Sequence, residues 1–162
     1  MRRRRKIRFH SSILRSIILI GLPAGLQSVM YSLSNIIIQS SVNSFGTNSV
    51  AAWTAYGKID AVFWMTINAF GISITTFVGQ NFGAQKFDRV KKSVRICWWM
   101  ALGASLAISG VILLFGQYIL RLFTSDADVV QIGMEIIRQL VPLYFTYVCI
   151  EVYSGACRGA GD

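Results

Sequence analysis

The chain has 162 residues, of which 54% are hydrophobic and only 14% are charged. Soluble domains carry about 25% charged residues, so this deficit indicates a membrane protein. The formal net charge of +9 would suit a nucleic-acid-binding surface, but most bases fall in two blocks beside apolar runs, which argues against a nucleic-acid partner.

The first block of bases lies within residues 1–20, which we predict to be a basic cytoplasmic linker followed by a short interfacial helix. The motif Gly21-Leu22-Pro23 predicts a break after that helix, because proline is tolerated in a first helical turn but not in a helix interior. The first membrane span is therefore expected over about 23–42. A cleaved signal sequence is the alternative, but further membrane segments follow instead of a soluble domain.

The first span carries a polar stripe. On a helix, Ser28, Ser32, Asn35 and Gln39 fall within roughly 60° of one another. Lipid cannot satisfy their hydrogen bonds, so the stripe must face protein or a water-filled cavity. Asn35 and Gln39 are then either neutral oxygen ligands for a cation or part of a contact between helices. The residues alone leave both interpretations open.

The second span is expected over about 49–79, after a turn at 43–48 that lacks bases and suits the outer face. Its outer half carries Lys58 and Asp60. Residues two positions apart on a helix lie roughly 160° apart around its axis. These two side chains therefore cannot pair with each other, and each needs another partner. They are either an exposed interfacial pair or functional groups facing a cavity.

Small residues recur every four positions at the inner end of this span, at Gly71, Thr75, Gly79 and Gly83. This spacing allows a neighbouring helix to approach closely. The second block of bases follows, in a predicted polar loop over 78–95. Its excess of Lys and Arg places this loop on the cytoplasmic side.

The third span is expected over about 96–123, with Trp98 and Trp99 at its inner end as an interfacial aromatic belt. A short acidic turn at 124–128 suits the outer face. The fourth span is expected over about 130–157, with a kink at Pro142 and an acidic residue, Glu151, in its inner half. The sequence thus predicts an all-α, polytopic membrane protein with about four spans and both ends cytoplasmic.

Residues that bind metals or catalyse reactions are scarce. His10 is the only histidine, and the three cysteines lack the spacing of a metal site. With a single histidine in the basic N-terminal block, the sequence offers no set of residues for a His-based catalytic triad. We therefore expect no metal, no resident cofactor and no enzymatic activity.

Three motifs resemble the second lobe of the multidrug and toxic compound extrusion (MATE) transporters. They are Gly21-Leu22-Pro23, Gly79-Gln80-Asn81 with Gly83-Ala84, and Arg158-Gly159-Ala160-Gly161-Asp162. The resemblance covers the seventh to tenth helices of the family. It implies that residues 21–162 are part of a six-helix lobe and that the chain is a fragment.

The resemblance also implies a function. Family members have two six-helix lobes around a cavity and export small cationic amphipathic drugs in exchange for H+ or Na+. The partners would be the inner-membrane bilayer, the substrates, and the missing helices or another copy, with the fragment inactive alone. Some members carry an acid about eight residues after Gly-Leu-Pro, which falls here near Tyr31, so that cation ligand is missing. Asp60 and Glu151 remain as acidic candidates, with Asn35, Gln39 and Lys58.

Three alternatives stay open. A self-assembling four-helix transporter would use the face of Gly71, Thr75 and Gly79 as a dimer interface, but the first span lacks the acid that small multidrug transporters carry. A related lipid-linked flippase would need several cations in its cavity, and Lys58 is the one candidate. A membrane scaffold subunit has no need of buried charge.

Overall fold

The computed structural model describes residues 11–161, apart from some side chains between residues 11 and 24. The described part is built from helices: α1 (Ser11–Ser44), α2 (Thr47–Gly83), α3 (Phe87–Arg121), α4 (Ala127–Leu140), a 3-10 turn (Val141–Leu143) and α5 (Tyr144–Ala160). They form two units, divided after Ser44. The first unit contains α1, and the second contains α2 to α5.

Helix α1 is continuous through Gly21-Leu22-Pro23, so the predicted break and the separate interfacial helix over 11–20 are wrong. Pro23 removes one backbone donor, but a helix interrupted by a single missing hydrogen bond can continue when the flanking residues, here mostly Ile and Leu, favour it. The basic linker over residues 1–10 lies outside the described residues.

The basic segment over 78–95 is helical except for a short reversal at 84–86, so the predicted loop over the whole segment is wrong. Gln85 has a φ of 58°, and the Lys86 amide donates to the Asn81 carbonyl at 2.9 Å, which closes the turn. Lys and Arg are good helix formers. Arg89, Lys91, Lys92 and Arg95 therefore occupy the first turns of α3 instead of a loop, and Lys86 lies in the reversal.

Within the described residues, three stretches are long and apolar enough to cross a membrane: α2, α3, and α4 with α5 taken together. The segment of α1 over 23–42 is helical as predicted. Helices α2 and α3 have 37 and 35 residues, more than the roughly 20 that a span needs. Their ends therefore extend beyond the hydrocarbon core. The all-α, multi-pass membrane class is confirmed.

The α-helical part of the fourth span is interrupted at Pro142, the position of the predicted kink. Helix α4 ends at Leu140, the 3-10 turn covers Val141–Leu143, and α5 starts at Tyr144. Proline cannot donate a backbone hydrogen bond, and its ring disfavours a continuous α-helix. The 3-10 turn therefore interrupts the fourth span just before its aromatic and acidic residues.

Glycines bring α2 and α5 together. A Cβ atom on Gly159 would lie 2.5 Å from the Thr75 carbonyl oxygen, and one on Gly155 would lie 2.9 Å from the Gly71 carbonyl oxygen. The Thr75 hydroxyl donates across the interface to the Gly155 carbonyl at 2.9 Å. The small-residue stripe of α2 thus allows the predicted close approach of a helix. That helix is α5, so this face is already occupied and does not suit a dimer interface.

Candidate functional site

Asp60 lies on α2 and is half-buried against α5. Its Oδ2 accepts a hydrogen bond from the Trp64 indole Nε1 at 2.8 Å, one turn along the same helix. Its Oδ1 accepts a hydrogen bond from the Tyr144 hydroxyl of α5. Both carboxylate oxygens therefore have a donor, and the partner that Asp60 requires is not Lys58.

Two further aromatic residues hold Tyr144 in place. The hydroxyls of Tyr56 and Tyr144 are 2.9 Å apart, and the Phe63 ring stacks on Tyr144 with centroids 4.0 Å apart. The carboxylate of Asp60 accepts but cannot donate when ionised, so Tyr144 donates to it and accepts from Tyr56. Tyr56 and Tyr144 are 4% and 8% exposed. Tyr56, Tyr144 and Asp60 therefore form a relay of hydrogen bonds. It runs from the buried Tyr56 hydroxyl to the half-buried carboxylate of Asp60.

Glu151 is the second carboxylate, and α5 carries it over Gly71 of α2. A side chain at position 71 would collide with Oε1 of Glu151, so glycine is what leaves room for the acid. Oε2 accepts from the Tyr147 hydroxyl at 3.2 Å, and Oε1 accepts from the Arg158 guanidinium at 3.2 Å. The Glu151 side chain is 16% exposed, and that of Arg158 is 54% exposed.

The two acids belong to one continuous group. The rings of Trp64 and Tyr147 meet edge to face with centroids 4.5 Å apart, which joins the donor of Asp60 to the donor of Glu151. We call Asp60, Trp64, Tyr147 and Glu151 the carboxylate line. Ionisable groups within membrane spans are usually functional, so the carboxylate line is the candidate functional site of the second unit.

The structure separates Lys58 from the carboxylate line. Lys58 is exposed and borders an apolar groove of about 380 Å³ between α2 and α3, with Val62 and Ile112 among its walls. Asp60 does not line this groove, and a cavity role for Lys58 in transport stays a prediction. The two side chains point away from each other around α2, as their spacing requires.

The candidates on α1 belong to the other unit. Gln39 donates from Nε2 to Oδ1 of Asn43 at 3.0 Å, and Tyr31 is 62% exposed. Asn35 and its neighbours on the stripe are exposed in this unit. A cation-binding role for Asn35 and Gln39 stays a prediction.

The MatE family profile matches residues 23–162 of the chain. The chain belongs to the MatE family. It is 28% identical over 160 residues to the "Probable multidrug resistance protein YoeA" of Bacillus subtilis. The aligned region covers 98% of this chain and 34% of that protein. It is 30% identical over 146 residues to the "Probable multidrug resistance protein YpnP" of the same organism, covering 90% of this chain and 33% of that protein.

A further relative carries a different name, the "FAD transporter" of Shewanella oneidensis. It is 25% identical over 112 residues, which cover 69% of this chain and 25% of that protein. The chain thus spans about a third of the length of the first curated MatE relatives. Its resemblance to the MATE transporters, drawn from the three motifs, is confirmed at the level of the family.

The motif residues of this MatE chain are placed at the α2–α5 contact and at the helix ends. Gly79 faces the Gly159 carbonyl, where a Cβ would lie at 3.3 Å. Asn81 donates to the Phe77 carbonyl at 2.8 Å, and Gly161 ends α5 with a φ of 96°. Gln80 and Gly83 are exposed, as are Gly21 and Pro23 of α1. Asp162 lies outside the described residues.

Sequence reasoning missed the aromatic partners of the acids. Trp64 follows Asp60 by four positions and Tyr147 precedes Glu151 by four, so helical spacing was a usable signal for both. Tyr144 offered no such signal, because it is 84 positions from Asp60. Only the packing of α5 on α2 brings them together.

Sequence reasoning also missed a polar face on the outer half of the fourth span. Gln131, Glu135 and Arg138 of α4, with Gln117 and Arg121 of α3, line an open cavity of about 850 Å³. The opposite face of α4, including Gly133 and Ile137, is buried. A polar face of this kind within a span requires water or protein against it.

Proposed function

We propose that this chain supplies part of a MATE-type secondary transporter that exports cationic amphipathic compounds in exchange for H+ or Na+. The observation that carries the proposal is the carboxylate line, in which Asp60 and Glu151 are joined through Trp64 and Tyr147. The printed names of the relatives YoeA and YpnP, multidrug resistance proteins, agree with this function.

The chemistry of the line suits a cationic substrate. Its two acids can hold a proton, a small cation or a positively charged group of a drug, and these occupants exclude one another. Trp64 and Tyr147 add aromatic faces that attract cations. An exchange of occupants at such a site is what an antiporter needs.

We place this transporter in the cell membrane, with several spans and the N-terminus on the cytoplasmic side. The bases at the α2–α3 reversal and in the N-terminal block fall on one side of the predicted topology, which supports this orientation. The proposed partners for transport are further helices of the kind that the longer relatives contain, or another copy of this chain.

The test is efflux of a fluorescent cationic dye from cells that co-express this chain with the remaining helices of a relative such as YpnP. We expect efflux only on co-expression, and its loss by about tenfold or more in Asp60→Asn or Glu151→Gln, because each removes a charge-assisted interaction of about 1.5–3 kcal/mol. Imposed gradients of H+ or Na+ then identify the coupling ion.

The matched control is Asp128→Asn. This acid is exposed and lies off the carboxylate line, so its replacement should leave efflux unchanged. Efflux from the chain alone would favour a self-assembling transporter. Unchanged efflux in both Asp60→Asn and Glu151→Gln would remove the basis of the proposal.

A further inference from the structure

A groove between α3 and α5 combines two cations with two aromatic side chains. It has a volume of about 360 Å³ and is lined by Val90, Lys91, Val94, Arg95, Trp98 and Tyr153. Lys91 and Arg95 are one helical turn apart and so project from the same side of α3. Trp98 continues that side, and Tyr153 faces it from α5.

The groove lies where α3 enters the apolar part of the membrane. Arg95 is the last charged residue of α3 before an uncharged stretch that continues to Leu120. Trp and Tyr are enriched at the level of the lipid headgroups, because their rings are amphipathic. The two cations therefore lie at the headgroup level, with apolar surface immediately below them.

The cations of the groove are available for a ligand. Lys91 and Arg95 are exposed, and no acidic residue lines the groove. Within the part of the chain that the structure describes, neither forms an ion pair. The Trp98 indole instead contacts Cys149, with Nε1 3.3 Å from Sγ, which fixes the aromatic wall against α5.

We propose that this groove binds the headgroup of an anionic phospholipid, with Lys91 and Arg95 on the phosphate and an acyl chain descending past Trp98. Basic pockets between membrane helices bind acidic lipid headgroups in this way. The occupant is a lipid and not a soluble anion, because Val94 and the aromatic walls offer an apolar continuation that a soluble anion cannot use. This site is independent of the carboxylate line and of the transport proposal.

The test is quenching of tryptophan fluorescence in nanodiscs that contain the full chain. The discs contain phosphatidylcholine with phosphatidylglycerol, and one of the two lipids carries brominated acyl chains. We expect stronger quenching when phosphatidylglycerol is the brominated lipid. The double variant Lys91→Gln/Arg95→Gln should lower the relative association constant of phosphatidylglycerol by about tenfold or more, because it removes both charge-assisted contacts with the phosphate.

The matched control is Arg89→Gln/Lys92→Gln. It removes the same charge from neighbouring exposed positions of α3 that do not line the groove. An equal loss in both double variants, or no preference for phosphatidylglycerol in the unmodified chain, would overturn the proposal. A third arm adds inorganic phosphate at millimolar concentration. If phosphate abolishes the preference, the groove is a soluble-anion site and the lipid assignment is wrong.

Discussion

The carboxylate of Glu151 occupies the space that a side chain at Gly71 would take. One glycine of α2 thus determines where an acid of α5 lies within the membrane. Beside it, the Thr75 hydroxyl lies within hydrogen-bond distance of the carbonyls of both Gly71 and Gly155, and its single proton is shared between them. The small-residue face of α2 therefore has two roles, the approach of the helices and the placement of an acid.

Gly71→Ala should reduce transport more than it reduces stability. The added methyl group meets the end of a flexible side chain, so Glu151 can move aside, but its hydrogen bonds with Tyr147 and Arg158 are then weakened. We expect dye efflux in the co-expression assay to fall by about tenfold, as for loss of one charge-assisted bond, with the unfolding temperature in detergent nearly unchanged. A large drop in unfolding temperature would contradict this account.

In contrast to Gly71→Ala, Gly159→Ala should lower the stability of the protein, because it disturbs the packing of α2 on α5. Its methyl group meets the Thr75 carbonyl oxygen at 2.5 Å, which is backbone and cannot turn away. Overpacking of this kind costs about 1–3 kcal/mol, which thermal unfolding in detergent can measure. The matched control is Gly103→Ala, where a Cβ meets nothing within 4 Å; a comparable loss there would argue against a specific contact.

Tyr144→Phe should cost more stability than Tyr56→Phe. Phenylalanine at 144 keeps the stack on Phe63 but removes the donor to Asp60 and the acceptor of Tyr56, a loss of about 1–3 kcal/mol for buried groups left unpaired. Tyr56→Phe removes only the terminal donor of the relay, and we expect about 1 kcal/mol or less. The double variant should resemble Tyr144→Phe. Additive losses, measured by chemical unfolding, would indicate that the hydroxyls act independently.

The polar face of α4, formed by Gln131, Glu135 and Arg138, should be in contact with water when the protein is in the membrane. Arg138→Cys, in a chain with its three native cysteines replaced, should react with a water-soluble maleimide, because a thiol ionises and reacts in water but not in lipid. Leu114→Cys is the control at a similar depth, since Gly116 of α3 lies against Ile137 of α4. Leu114 is 76% exposed on the apolar surface and should stay unlabelled. Equal labelling at both positions would contradict a water-filled cavity.

Helical periodicity explains which predictions succeeded. It indicated that Lys58 and Asp60 diverge around α2 and that Gly71, Thr75 and Gly79 share a face, and both features are present. The errors arose where the local signal was ambiguous. Pro23 suggested a break that the surrounding apolar residues override, and the polar segment over 78–95 was taken for a loop although its bases favour helix.

The sequence by itself determined the membrane class, the interruption of the fourth span at Pro142 and the presence of two acids within apolar segments, because composition and spacing act within one segment. Only the tertiary structure decided that Tyr144 is a partner of Asp60, that Glu151 lies over Gly71, and that Lys58 faces a different groove. The direction of a side chain around its own helix follows from residue spacing. The helix that lies against it depends on close packing between segments far apart in the chain, and no local pattern encodes that choice.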